Sequence, residues 1–175
     1  MAARSAYACL SAMLVSLFAS AASAQSQPTL PDGWERPTND DLAGPNLGFR
    51  KDKPGRFLVA EGDFDGDGVA DRAEILVSHI SRTYAVYAFT SKSPAPIQPV
   101  DGRIQALEHM GIDTVEPGLT KTACGKGYDE ADPNCKRGVP KVDIPYPSIE
   151  YFGFESGASQ FYWTGEKFER VRTSN

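Results

Sequence analysis

Several common kinds of site chemistry have almost no raw material in this sequence. Histidine occurs twice, as His79 and His109, and cysteine three times. No Gly-x-Ser-x-Gly elbow, phosphate-binding glycine loop or His-Glu-x-x-His pair is present, which removes the sequence marks of an α/β-hydrolase, a nucleotide-binding loop and a zinc protease. Beyond the first two dozen residues, no run is long and apolar enough to cross a membrane. No unit recurs at a solenoid or propeller period. An overall basic charge is missing as well. The formal net charge is −5, which argues against a general phosphate-backbone binder, so nucleic acid is not an expected partner.

What is present begins with export. Arg4 precedes an apolar run from Ala6 to Ala19, and Ala22-Ser23-Ala24 then supplies small residues at a cleavage position. This is the three-part layout of a secretory signal peptide. A membrane anchor is the alternative, but the run is short for a span of about 20 apolar residues. Residues 1–24 are therefore read as a signal peptide and 25–175 as a single globular domain, with a Pro-rich, mobile lead over 25–33. Cleavage removes Arg4 and no acid, taking the formal charge from −5 to −6. The expected location is periplasmic or secreted, with no membrane span after cleavage. In an oxidising compartment Cys124 and Cys135 can pair across a loop rich in Gly, Asp, Lys and Pro. Closing so short a loop would stabilise the fold by about 2–3 kcal/mol on the chain-entropy model. Zinc is the other use for two cysteines, but it wants four Cys or His ligands in close pairs, and neither histidine is paired with these.

Hydrophobic patterning predicts a small α+β or mainly β domain on antiparallel strands. Thr38 can cap a short N-terminal helix through Asp41 and Leu42. Arg56–Glu61 reads as a strand. Arg72–Ile80 alternates with period two, putting Ala73, Ile75, Val77 and His79 on one face and Arg72, Glu74, Leu76 and Ser78 on the other. Thr83–Thr90 is the next strand. Ser91–Pro99, with three prolines, reads as a loop, as does Gly118–Gly138. Arg103–His109 fits a helix or a strand equally. The aromatic-rich end, from Ile149 to Val171, reads as a three-stranded antiparallel meander with turns at Gly157-Ala158 and Thr164-Gly165-Glu166.

The strongest chemical signal is Asp63-Phe64-Asp65-Gly66-Asp67-Gly68-Val69-Ala70-Asp71. Four carboxylates at this density repel one another, and a cation would compensate them. Hard oxygens suit Ca²⁺, which takes six to eight of them at about 2.3–2.6 Å. Against the twelve-residue calcium loop, Asp63, Asp65 and Asp67 hold positions 1, 3 and 5, Gly68 position 6, the Val69 carbonyl position 7, Asp71 position 9 and Glu74 position 12. An EF-hand loop joins two helices, whereas the flanks here, Phe57–Ala60 and Ile75–Val77, prefer strands.

A strand–loop–strand setting with D-x-D-G-D-G-x-x-D resembles the calcium loops of FG-GAP and VCBS-type repeats. The resemblance covers about twenty residues and implies that Asp63, Asp65, Asp67 and Asp71, with one backbone carbonyl, bind calcium. It makes Glu74 the least certain ligand. Such repeats usually come in tandem, and one copy carries over the loop and its ion without the parent architecture. Trp34, this loop, the segment Lys121-Thr122-Ala123-Cys124-Gly125-Lys126-Gly127-Tyr128 and the ending Phe161-Tyr162-Trp163 also resemble small exported bacterial proteins, a likeness that brings no activity with it.

Remaining candidates have plainer readings. His79 is expected to be a partly buried structural residue. His109 beside Glu108 could form an acid–base pair. The aromatics of the meander divide between core and surface, with a carbohydrate- or protein-binding face as the alternative. Lys121, Lys126, Lys136, Arg137 and Lys141 make the cysteine loop locally basic. The function expected is that of an exported non-enzymatic protein with structural Ca²⁺ and a protein or ligand contact surface, its partner lying in the cell envelope. The alternatives are an envelope hydrolase using calcium as a Lewis acid and an inhibitor or immunity protein against an envelope-acting toxin.

Overall fold

The computed structural model describes residues 27–53, 55–92, 97–127 and 139–174. The expected signal peptide and Cys135, Lys136 and Arg137 lie outside them. Among the described residues no helix is long and apolar enough to cross a membrane.

Two four-stranded antiparallel sheets make the body. The first has the order β1 (Val59–Gly62), β2 (Asp71–Ser78), β3 (Thr83–Phe89), β4 (Ile97–Arg103). The second contains β5 (Met110–Val115), β8 (Ser148–Gly153), β9 (Ala158–Trp163) and β10 (Phe168–Arg172), in the order β10-β9-β8-β5. A separate ribbon pairs β6 (Gly118–Lys121) with β7 (Lys141–Ile144). The mainly β class is therefore the observed one, and the C-terminal meander forms with β9 between β8 and β10.

The two sheets share one core. Ala60, Ala73, Ile75, Val77, Val86 and Ala88 come from the first, Ile112, Ile149 and Phe161 from the second, and Phe64, Leu58 and Leu107 fill in from the connections. Where the edges β1 and β5 meet, the Thr114 hydroxyl donates to the Glu61 carbonyl (2.9 Å) and accepts from the Glu61 amide (3.1 Å). The phenols of Tyr84 and Tyr151 hydrogen-bond across the core.

The alternation of β2 is as the sequence implies, but both of its faces are covered. Ala73, Ile75 and Val77 face the main core, while Leu76 packs with Ala85, Tyr87, Leu30 and Trp34 on the outer side. The covering layer is the N-terminal arm. Trp34 meets Tyr87 edge-on at 5.0 Å, and Glu35 exchanges backbone hydrogen bonds with Val77 (3.0 and 2.8 Å). β1 reaches only as far as Glu74, so the arm takes over the free edge of β2 beyond it.

Several local expectations are corrected. Thr38–Leu42 is a turn, closed by the Thr38 amide and hydroxyl donating to Asp41 Oδ2 (2.8 and 2.7 Å). The helical segment at this end is instead a 3-10 helix over Pro45–Arg50, which Pro45 can open because its missing N–H falls where no intrahelical partner exists. Ile104–His109 is also 3-10. Part of the proline segment is a strand: β4 is an edge strand with Pro99 inside it, where a missing donor is tolerated. Part of the cysteine loop is β6, which finds in β7 the partner its own short sequence does not announce.

Candidate metal centre

The acidic loop joins β1 to β2, so its ends are held about 4.5–5.5 Å apart by the sheet ladder, Gly62 pairing with Asp71. Phe64 fixes the middle: it is fully buried in the shared core. With Phe64 inward, the loop folds over it and brings carboxylates together. Gly66 and Gly68 sit at φ +73° and +86°, a region that favours glycine. Gly66 also has Tyr146 against it, and a Cβ there would run into that ring.

Backbone amides hold the carboxylates in place. Asp63 Oδ1 and Oδ2 accept from Asp67 N and Gly68 N, each at 2.9 Å. Asp71 Oδ2 accepts from Phe64 N (3.0 Å) and Asp65 N (3.3 Å), and its Oδ1 from Ser91 N (3.1 Å). Burial pushes the Asp71 carboxyl up to about 6, opposed by these amides and reinforced by the charge of Asp65. Asp67 behaves differently. Its carboxylate is exposed, accepts from the Ser91 hydroxyl and from Val69 N (2.8 Å), and is held below the ordinary carboxylate range, first by Ser91 and then by Val69.

Asp65 is the most deeply placed acid of the loop. It is 1% exposed, and neither carboxylate oxygen has a hydrogen-bond partner. Its nearest compensation is the Lys92 ammonium, 3.4 Å from Oδ1. Burying an ionised group without hydrogen bonds is costly, so this carboxylate is aimed at something with positive charge.

Asp63, Asp65 and Asp71 each offer an oxygen within 4.8 Å of the others. Two oxygens on one calcium at about 2.3–2.6 Å stand at most about 5 Å apart, so the trio fits a shared ion of that size. The expected set is therefore brought together in part. The Asp67 carboxylate is turned to Ser91, and the Val69 side chain is 52% exposed. Glu74 is elsewhere. It stands three positions on from Asp71, an odd offset, so it projects from the other face of β2, where it is buried between Arg36 (2.8 and 3.1 Å) and Arg72. Both of its oxygens are committed to guanidinium groups.

Arg36, Ser91, Lys92 and Tyr146 shape this region, and sequence reasoning tied none of them to the acidic loop. Lys92 stands 27 residues from Asp65 and Arg36 stands 38 from Glu74, and no local pattern links such distant positions. Phe64 could have been found, because an aromatic ring inside a run of aspartates has no solvent-facing purpose.

The other candidates fall as follows. His79 lies past the end of β2 and is half exposed rather than partly buried, with Nε2 3.7 Å from Asp41 and 3.8 Å from Glu35. It borders an open cleft of about 530 Å³ lined also by Asp40, Arg82 and Glu108. His109 stands 3.2 Å from Glu108 at half exposure. A second cleft, of about 570 Å³, is walled by Phe49, Phe57, Lys53 and Arg56. Cys124 opens a 3-10 turn and is not a free thiol. Lys121, Lys126 and Lys141 are exposed. Compared with family models, curated proteins and solved structures, the chain matches none.

Proposed function

We propose that this chain is an exported protein whose acidic loop binds calcium as a structural ion, and that it works through a contact surface rather than by catalysis. The ligands would be Asp63, Asp65 and Asp71, with the Val69 carbonyl and with Asp67 once it turns from Ser91. Glu74 is left out of the set, its charge being spent on two arginines. The observation that carries the reading is Asp65, a buried carboxylate without a hydrogen-bond donor at the convergence of two others. An ion here would clamp the β1–β2 junction to the core through Phe64. The export signal and a Cys124–Cys135 bridge belong to the same reading, since an oxidising, calcium-rich compartment suits both.

Thermal unfolding with calcium and with chelator tests it. Calcium at 100 times its dissociation constant adds about 2.7 kcal/mol by mass action. The expected result is a higher melting temperature with calcium in the natural chain and no difference in Asp65→Asn. Superimposable curves for the natural chain would overturn the calcium reading.

A further inference from the structure

Lys92 follows β3 and reaches back into the acidic loop. Its ammonium donates to the Asp65 carbonyl at 2.6 Å and lies 3.4 Å from Asp65 Oδ1. The residue before it does related work: Ser91 donates its amide to Asp71 and its hydroxyl to Asp67. Two consecutive residues thus engage three of the four loop aspartates. The pair with Asp65 is a charge pair only, because the Asp65 carboxylate accepts no hydrogen bond.

We infer that Lys92 is the loop's internal counter-cation, competing with the divalent ion for Asp65 and setting the affinity of the site. This rests on the calcium reading above. An ammonium supplies one positive charge to a site where three carboxylates converge, which leaves the loop under-compensated yet foldable without metal. A calcium ion among Asp63, Asp65 and Asp71 brings two charges into that space and repels the ammonium. Lys92 can leave, because its side chain is already 46% exposed and its flexible four-carbon stem lets the charge swing into water. Binding then carries the cost of breaking the Lys92–Asp65 pair. The site fills only where calcium is abundant, and filling it releases Lys92 from Asp65.

Calorimetric titration of calcium into the full mature chain, beside Lys92→Met and Lys92→Arg, tests the inference. Thermal unfolding of each in chelator supplies a second readout. Lys92→Met should bind calcium about tenfold more tightly and melt at a lower temperature without it. Lys92→Arg keeps the charge and should restore most of the natural affinity. Equal affinity in all three chains overturns the role of Lys92 and leaves the calcium site standing. Binding by Lys92→Met alone supports the role of Lys92 and shows that in the natural chain the lysine has replaced the metal. Absence of binding in every chain overturns both readings.

Discussion

Arg50 and Asp65 are buried to the same degree in this molecule, and they are treated in opposite ways. Arg50, at the end of the first 3-10 helix, is 1% exposed. Its guanidinium donates to the carbonyls of Arg56 (3.2 Å), Glu108 (3.1 Å) and Met110, and lies over the Phe154 ring at 4.8 Å. Asp65 is also 1% exposed, and its carboxylate accepts no hydrogen bond at all. The planar fork of arginine can be satisfied by fixed carbonyls. Arg50 is thus a finished structural clamp, tying the N-terminal arm to the 3-10 segment and β5. The Asp65 carboxylate instead has cationic and acidic neighbours in place of donors, an arrangement that could hold an ion. A buried charge with its hydrogen bonds complete points to architecture, and one without them points to a ligand.

The largest expected effect breaks the finished side of this contrast. Arg50→Met removes the donors to three carbonyls and should cost about 3 kcal/mol or more, since each buried group left unsatisfied costs about 1–3 kcal/mol. Denaturant unfolding would measure it, and the loss should be the same with calcium or chelator. Next comes the calcium effect itself, about 2.7 kcal/mol at 100 times the dissociation constant, abolished by Asp65→Asn. At a comparable or smaller level, Glu74→Gln should lower stability by about 1–3 kcal/mol by weakening the contacts to Arg36 and Arg72, with calcium affinity by calorimetry unchanged. A large drop in affinity would return Glu74 to the ligand set.

A further effect is a change of sign with pH. In chelator, Asp71 carries a folded-state pKa raised to about 6, above the unfolded value of about 3.9. The folded protein then holds the extra proton between those values, so its stability falls as pH rises from about 4 to about 6. Glu150, raised by burial and then by Asp113, contributes in the same direction. Calcium reverses the trend, because it holds the loop carboxylates ionised and stability then falls as pH drops. Melting temperatures across pH 4–7, with and without calcium, should show the slopes diverge, and Asp71→Asn should shrink that divergence.

Much of the first sheet was legible because its strands advertise themselves. Arg72–Ile80 alternates with β-branched residues, and Thr83–Thr90 carries Tyr84, Val86, Tyr87 and Phe89, so each has a local reason to be extended. β4 and β6 had none. Pro99 argues against a strand until an edge position removes the need for its N–H, and Gly118–Lys121 becomes a strand only through pairing with β7. The site divides in the same way. The spacing of Asp63, Asp65, Asp67 and Asp71 marks a candidate cation loop in the sequence alone, yet the spacing treats the four as equivalents. The fold separates them, with Asp65 buried beside Lys92 and Asp67 exposed on Ser91.

By itself, then, the sequence determined the strands with period-two patterning, the acidic loop between two of them and the glycines its turns need, because these depend on neighbours a few residues apart. Only the tertiary structure decided which carboxylates converge, that Glu74 belongs to two arginines, that Arg50 is buried on carbonyls and that Lys92 reaches Asp65. Those outcomes depend on groups dozens of residues apart in the chain, and on burial, which removes the water that would otherwise make every exposed charge equivalent.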